Sequence, residues 1–203
     1  MRIVAGSARG LRLGKVPDGT RPLSDRAREG LFSSLGRDVV GAGALDLFAG
    51  TGAMGIEALS RGAASATFVE RSPAAVAAIE GNLARTRLGD RATVLRSDVV
   101  RFLRSAPAAA TSTTVTGGED ATGVVGPEVG ELVFMDPPYD LPEGVLAELL
   151  GLLDEGWLVG RDRWKVCLTR PRRSSTGVVP IGWVVARRLE YGDNLIICYR
   201  REE

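Results

Sequence analysis

Apolar and polar positions follow an alternating strand and helix pattern from residue 44 onward. Short apolar runs, typical of buried parallel strands, are separated by segments whose apolar residues recur every three or four positions. The pattern predicts strands at residues 44–48, 66–69, 93–95, 132–135, 165–168, 183–189 and 195–199. It predicts helices at residues 53–62, 99–103 and 142–153, and one from residue 73 whose buried stripe is Val76, Ile79 and Leu83. Repeated strand-helix-strand units favour an α/β fold, a mostly parallel sheet with helices on both faces.

The beginning of the chain departs from this pattern. Residues 1–22 contain two short strand-like stretches broken by glycines, and Ser24 is a suitable N-cap for a helix at residues 25–35. We therefore expect a small β-rich arm and helix at residues 1–37, attached to a main domain of residues 38–203.

Two further segments are distinctive. The turn at residues 191–194 predicts an antiparallel hairpin at the end of a seven-stranded sheet. Residues 105–130 consist mainly of small residues, threonine and glycine, with no aromatic side chain. Such a long stretch without periodicity favours a mobile insertion, and a spacer more than a lid.

A glycine-rich turn lies between the first predicted strand and its helix, in the sequence ALDLFAGTGAMG at residues 44–55. Gly50, Gly52 and Gly55 allow a tight turn and let a ligand approach the N–H groups of the first helical turn. Glu70 follows the next strand, twenty residues after Gly50, where a carboxylate can accept the hydroxyl protons of a ribose. We expect a nucleoside-containing cofactor here; an ordinary turn with a surface glutamate is the alternative.

A second motif, Asp136-Pro137-Pro138-Tyr139, follows the fourth predicted strand. Consecutive prolines remove two N–H donors and stiffen the turn. The carboxylate and nearby carbonyls can accept the protons of an exocyclic amine, while the tyrosine ring stacks on a planar heterocycle. A rigid strand-to-loop turn without chemistry is the alternative.

Composition narrows the chemistry. The 203 residues are 44% hydrophobic and 25% charged, as expected for an ordinary globular domain. The absence of histidine excludes histidine-based acid-base catalysis and histidine-ligated metals. No secretory signal or membrane span is evident, so we expect a cytoplasmic protein. Cys167 and Cys198 lie in strand-like runs without metal-ligand spacing, which predicts buried free thiols.

Charge is unevenly distributed along the chain. Residues 1–37 hold eight basic and three acidic side chains, a net charge of +5 within a chain whose total is +1. A basic arm on a mildly acidic domain points to a polyanionic partner. A solvated arm without a partner is the alternative.

Several segments together resemble one protein family. The glycine-rich segment and FMDPPY resemble class I methyltransferases that use S-adenosylmethionine to modify amino groups. RIVAGSARGLRL, TRPLSDRAREGLF and the later YGDNLIICY are similar to the RsmD family, which methylates N2 of a guanine in small-subunit (16S) ribosomal RNA. The resemblance covers nearly the whole chain apart from residues 105–130, and it implies a Rossmann-like class I methyltransferase fold.

The resemblance also implies a role for particular residues. For the cofactor, S-adenosyl-L-methionine, the implied residues are Asp46, Phe48, Gly50, Thr51, Gly52, Glu70, Arg71, Asp98 and Val99. For the flipped guanine and catalysis they are Asp136, Pro137, Pro138 and Tyr139. The positive charge of the arm and first helix, rather than the resemblance, assigns RNA contact to their basic residues: Arg9, Arg12, Lys15, Arg21, Arg26 and Arg28. Two positions depart from the family pattern: Leu23 stands in place of a threonine, and Thr169 stands in place of a glutamate.

The expected partner is 16S rRNA within a small-subunit particle or assembly intermediate, bound by a monomer without metal. Three alternatives remain open. An adenine-N6 methyltransferase acting on RNA or DNA also uses the DPPY motif. The glycine spacing is also compatible with a nicotinamide-dependent oxidoreductase, but the sequence lacks a proton-relay histidine and a Tyr-x-x-x-Lys pair. An RNA-binding module without activity would not need the four carboxylates that follow the predicted strands or lie within them, Asp46, Glu70, Asp98 and Asp136.

Overall fold

The structure, a computed structural model, describes residues 1–14, 23–105, 131–158, 163–174 and 178–202. Within them the strands are β1 (Gly43–Leu47), β2 (Ser65–Glu70), β3 (Ala92–Arg96), β4 (Leu132–Met135), β5 (Lys165–Pro171), β6 (Trp183–Tyr191) and β7 (Asn194–Arg201). The α-helices are α1 (Asp25–Leu35), α2 (Ala53–Ser60), α3 (Pro73–Thr86), α4 (Val99–Arg104) and α5 (Glu143–Leu152). Two 3₁₀ turns, Gly36–Val39 and Gly89–Arg91, and a π-helical turn, Leu153–Trp157, complete the elements.

The strands form one seven-stranded sheet in the order β3-β2-β1-β4-β5-β7-β6. β1 lies within it and pairs in parallel with β2 and β4, with Leu47 opposite Val69 on one side and Met135 on the other. β5 and β7 pair antiparallel, as do β6 and β7. The predicted α/β class, the mostly parallel sheet and the terminal antiparallel hairpin are therefore confirmed.

Both faces of the central strands β1 and β4 are buried, as continuous apolar strands require. Successive residues of β4 alternate between the two faces: Phe134 packs with α1, where its ring centroid lies 5.4 Å from that of Phe32. Val133 and Met135 belong to the opposite cluster, which includes residues of α4 and α5. This alternation gives each face of the sheet its own apolar cluster, with α1 on one face and α4 and α5 on the other.

Local signals set the helix starts. Ser24 caps α1 by accepting a hydrogen bond from the Ala27 N–H, and Ser72 caps α3 in the same way before Pro73 at the first position. The predicted buried stripe of α3 is wrong at Val76, which is only partly buried. The helix instead turns Asn82 inward, because this amide finds buried hydrogen-bond partners.

The N-terminal arm is joined closely to α2. Glu57 is fully buried and accepts hydrogen bonds from the N–H groups of Val4 at 2.8 Å and Ala5 at 3.0 Å, while Arg61 balances its charge at 2.7 Å. Ile3, also fully buried, belongs to the same apolar cluster as α2. The arm therefore shares the core of the main domain.

Strand pairing in the arm is sparser than the sequence predicts. Within residues 1–14 the two expected strands reduce to one isolated antiparallel bridge, between Arg2 and Arg12. Gly6 and Gly10 both have φ near +85°, and these left-handed turns bend the chain before longer pairing can develop.

Three remaining expectations concern other parts of the chain. The predicted insertion at 105–130 lies, apart from residue 105, outside the described residues. Cys167 and Cys198 are buried free thiols, as predicted, with sulfur atoms 3.4 Å apart across β5 and β7. Among the helices described, none is long and apolar enough to cross a membrane.

Candidate active site at the carboxyl ends of the parallel strands

A strained turn connects β1 to α2. Phe48, Gly50 and Gly52 all have positive φ, at 60°, 55° and 75°, and the Gly52 N–H donates to the Ala49 carbonyl at 2.7 Å. Positive φ is uncommon for phenylalanine and is found where surrounding structure enforces it, often at ligand sites. A Cβ on Gly50 would meet only the Phe48 carbonyl, at 3.9 Å, so the outer side of the turn is open.

Asp46 lies just below this turn and is 2% exposed. Its carboxylate accepts a hydrogen bond from the Gly55 N–H at 2.9 Å. Burial, with smaller contributions from the nearby carboxylates of Asp136 and Glu70, raises the pKa of Asp46 to about 8. The Gly55 bond opposes this shift but does not cancel it. The arrangement is a buried carboxyl that gains from a cationic ligand.

Gly55 permits the close approach that this hydrogen bond needs. A Cβ at that position would lie 2.4 Å from the Phe68 ring of β2. The third glycine of the motif therefore brings α2 against the sheet, whereas the first two shape the turn.

Glu70, at the end of β2, is tied into the same turn. One carboxylate oxygen accepts from the Gly50 N–H and the other from the Ser72 N–H, both at 2.9 Å. The side chain is thereby held beside the glycine turn, and Arg71 follows as an exposed residue.

Asp98 follows β3 on the adjoining strand. Its carboxylate caps α4 by accepting from the N–H groups of Val100 at 3.0 Å and Arg101 at 3.2 Å. Asp98 is exposed, while the neighbouring Val99 is buried. Together with the turn and Glu70, these residues line the carboxyl ends of three adjacent parallel strands.

The DPPY motif begins directly after β4. Because Leu47 pairs with Met135, Phe48 and Asp136 are the residues that follow at adjacent strand ends. Burial raises the pKa of Asp136 to about 6, and a hydrogen bond with the Thr169 side chain on β5 partly lowers it. Pro137 is buried and Pro138 is exposed.

Tyr139 completes the motif and is 45% exposed. It borders a cavity of about 460 Å³. The other lining residues come from the start of α1 and the β6–β7 hairpin: Ser24, Arg26, Glu190, Tyr191, Gly192, Asp193 and Asn194. Gly30 lets α1 approach the hairpin, since a Cβ there would clash with the Tyr191 hydroxyl at 1.7 Å.

Three polar residues near the site were not predicted as functional. Thr169 interacts with Asp136, so the departure from the family pattern still supplies a hydrogen-bonding partner at that position. Asn194 accepts a hydrogen bond from Tyr139, and Asn82 donates one to the Thr51 carbonyl. The only sequence signal for Asn194 is its place in the hairpin turn.

The predicted RNA-contact residues separate into different environments. Arg9, Arg12 and Arg26 are exposed, whereas Lys15 and Arg21 lie outside the described residues. The expectation for Arg28 is corrected. This side chain is 0% exposed, and its guanidinium donates to the Leu23 and Arg2 carbonyls and to the Asp25 carboxylate.

Comparison with known proteins decides the family. Residues 1–116 match the model of a family described as Conserved hypothetical protein 95. Ribosomal RNA small subunit methyltransferase D of Escherichia coli K12 is 36% identical over 205 residues, covering 100% of this chain and 90% of that protein. The chain belongs to the RsmD family. The resemblance inferred from sequence motifs is thereby confirmed.

Solved structures share the fold of this RsmD-family chain. The Escherichia coli protein yhhF superposes with a TM-score of 0.78 at 35% identity, covering 100% of this chain and 98% of that one. A hypothetical protein of Thermus thermophilus gives a TM-score of 0.71 at 32% identity, covering 98% of each chain. Across the described residues, no group of three or more acidic or cysteine side chains is arranged to hold a metal ion.

Proposed function

We propose that this RsmD-family protein methylates the exocyclic N2 amine of a guanine in small-subunit (16S) ribosomal RNA, using S-adenosylmethionine. The name of the Escherichia coli relative, a ribosomal RNA small subunit methyltransferase, supports the reaction class and the kind of RNA. The choice of guanine N2 rests on the sequence resemblance and on the chemistry of the residues after β4.

The observation that carries this proposal is the pairing of β1 with β4. Leu47 and Met135 are opposite one another, so the glycine turn and the DPPY motif extend from neighbouring parallel strands at one edge of the sheet. Ligands of open α/β sheets bind at this edge. A cofactor on the turn would therefore lie beside a base at the motif, and much of the rate acceleration would come from that positioning.

The residues around the turn fit the cofactor. Asp46 and the turn from Gly50 to Gly52 would hold the methionine part, because a buried carboxyl with a raised pKa is stabilised by a cation. Glu70 would accept from the ribose hydroxyls, and Asp98 with Val99 would hold the adenine. Phe48, Thr51 and Arg71 complete this binding surface. When bound, the cofactor supplies a methyl group activated by a positively charged sulfur.

The DPPY motif would hold the guanine. Asp136 would accept a hydrogen bond from an N–H group of the exocyclic amine. This contact would hold the amine nitrogen so that the nitrogen lone pair points out of the plane of the guanine ring. Tyr139 offers its exposed ring for stacking, while Pro137 and Pro138 fix the loop. The proton released from nitrogen passes to Asp136 or to water, which requires no histidine.

Exposed arginines would contact the RNA backbone. Arg9 and Arg12 lie on the arm, and Arg26 lies in the cavity beside Tyr139. These contacts offset the cost of extruding a base from folded RNA, which is a few kcal/mol. We propose that Lys15 and Arg21 extend the same basic surface, that the substrate is a small-subunit particle or assembly intermediate, and that the protein acts as a cytoplasmic monomer without metal.

The proposal is tested by mapping methylated nucleotides in 16S rRNA from a strain that lacks the protein. We expect one N2-methylguanosine to be missing from this rRNA. It should return when the strain expresses the wild-type protein, and it should stay absent when the strain expresses the Asp136→Asn variant. Loss of an N6-methyladenosine instead would support the alternative that the DPPY motif serves adenine. An unchanged set of modifications would refute both.

A further inference from the structure

Asn82, towards the end of α3, lies between the N-terminal arm and the glycine turn. It is 1% exposed. Its side-chain oxygen accepts a hydrogen bond from the Gly14 N–H at 2.7 Å, and its side-chain nitrogen donates one to the Thr51 carbonyl at 2.9 Å. Both partners are backbone groups of fixed polarity, so they determine which way the amide points.

The two partners belong to segments with different proposed tasks. Thr51 is part of the turn that would hold the cofactor. Gly14 belongs to the arm and is close in sequence to the exposed Arg9 and Arg12. A second bond ties α3 to the arm, because the Arg85 guanidinium donates to the Arg12 carbonyl at 3.1 Å. One buried side chain thus shares its hydrogen bonds between the basic arm and the cofactor turn.

A buried amide is costly unless its polar atoms are satisfied, so the position of Asn82 depends on both segments at once. If the arm moves, the amide oxygen loses the Gly14 donor and the side chain is less well held against Thr51. If the turn moves, the same amide is less well held against Gly14. Order in one segment therefore lowers the cost of order in the other.

We propose that Asn82 is a positioning residue that couples the arm to the cofactor turn, so that cofactor and RNA each strengthen binding of the other. This inference rests on the proposed function. The coupling is reciprocal, because the free energy that links two binding sites is shared by both ligands.

The first test uses the full chain without RNA. S-adenosylhomocysteine, an unreactive analogue of the cofactor, is added while amide hydrogen exchange is followed across residues 9–14. We expect exchange at the Gly14 N–H to slow by about fivefold or more, the lower end of typical coupling. Asn82→Asp should bind the ligand but leave exchange at Gly14 unchanged, because a carboxylate still accepts from Gly14 but cannot donate to Thr51.

Two further variants control for folding. Asn82→Ser removes both contacts without burying a charge, and it should also uncouple the two segments. Thr86→Val is the matched control, since Thr86 is buried on the same helix and donates only within α3, to the Asn82 and Leu83 carbonyls. It should keep the wild-type response.

The second test measures the affinity of the protein for small-subunit particles from a strain that lacks it, with and without saturating S-adenosylhomocysteine. We expect S-adenosylhomocysteine to tighten RNA binding in the wild type and in Thr86→Val. In both Asn82 variants, the RNA affinities with and without the ligand should be nearly equal. A protein that binds the ligand without any change at Gly14 would overturn the inference and leave the proposed function intact. Failure to bind the ligand at all would refute both, and a wild-type response in Asn82→Ser would reduce Asn82 to a structural contact.

Discussion

The Tyr139 hydroxyl donates a hydrogen bond to the side-chain oxygen of Asn194, with the two oxygens 2.5 Å apart. The bond joins the loop after β4 to the first residue of β7, although 55 positions separate them in the chain. It holds the tyrosine ring in place while leaving the side chain 45% exposed. A stacking surface is therefore set before a base arrives, which lowers the ordering cost of binding.

This relationship predicts different effects for two substitutions at Tyr139. Tyr139→Phe keeps the ring but loses the hydroxyl that holds it, so RNA binding should weaken by about 0.5–1.5 kcal/mol, the cost of ordering one side chain on binding. Tyr139→Ala also loses the stacking surface and should cost about 1–3 kcal/mol. Filter binding of small-subunit particles from a strain that lacks the protein measures both losses of affinity. If Asn194→Ala adds a further loss to Tyr139→Phe, the two residues act independently and the hydrogen bond is not what positions the ring.

Asp136 should matter for turnover rather than for cofactor binding. Asp136→Asn preserves the shape but removes the negative charge and replaces one acceptor oxygen with a donor. Single-turnover rates at saturating RNA should fall about a hundredfold or more, the scale for losing one preorganised electrostatic group. Equilibrium titration with the cofactor should change little, and near-normal turnover would show that the motif is only a structural turn.

The raised pKa of Asp136 adds a pH dependence. Its carboxyl is protonated below about pH 6 and cannot then accept the amine proton, so kcat/KM should rise with pH through that value. Thr169→Val removes the hydrogen bond that lowers the pKa of Asp136, so the rise of kcat/KM should move to higher pH. If the pH dependence of kcat/KM is the same in Thr169→Val as in the wild type, Asp136 is not the titrating group.

Asp46 gives a separate pH signature. Its pKa of about 8 in the folded protein exceeds the ordinary value of 3.8, so the folded state binds more protons than the unfolded state between these limits. The contribution of Asp46 to folding stability is therefore largest in acid and is lost as pH rises from about 4 to about 8. Urea unfolding across this range should show a flatter pH dependence for Asp46→Asn than for the wild type.

The same carboxyl should release a proton when a cationic cofactor binds near pH 7, because a nearby cation favours its ionised form. Calorimetry in buffers of different ionisation enthalpy measures the number of protons released. We expect Asp46→Asn to release fewer, and an equal release would place the proton elsewhere.

Glu70 should distinguish the cofactor class. S-adenosylmethionine should bind and NAD should not, and Glu70→Ala should weaken binding by about 1.5–3 kcal/mol, the scale for hydrogen bonds to a charged group. Glu70 also accepts from the N–H groups of Gly50 and Ser72 through different oxygens, so Glu70→Gln keeps only one of these bonds and should weaken binding less than Glu70→Ala. Calorimetry with each ligand is the measurement. Binding heat from NAD but none from S-adenosylmethionine would refute the methyltransferase proposal.

The basic arm and the buried arginine should behave differently. Reversing the exposed Arg9 and Arg12 to glutamate should reduce RNA affinity and its salt dependence while leaving cofactor affinity unchanged. Arg28→Ala should mainly lower the free energy of unfolding, since it leaves buried carbonyl groups without their donor. An unchanged salt slope for the double reversal would show that the arm is only a solvated surface.

Features encoded by short-range spacing were predictable from the sequence. The glycine turn, Glu70 and the DPPY motif each follow a recognisable strand, and parallel strands place their ends along one edge. Arg28 was misassigned because its charge suggested solvent, although it lies four positions before the buried Phe32 on the apolar side of α1. Asn82 and Asn194 could not be predicted, because their partners lie 31 and 55 residues away and only the folded chain brings them together.

The position of β7 between β5 and β6 also constrains how the protein can be made. Among the described strands, β6 pairs only with β7. During synthesis β6 therefore remains unpaired until β7 has been translated. A nascent or truncated chain that stops before Asn194 would expose the apolar edge of β5, a site where strands of other chains can add. Premature termination in this region should therefore produce an aggregation-prone product for proteases to remove, rather than a weaker enzyme.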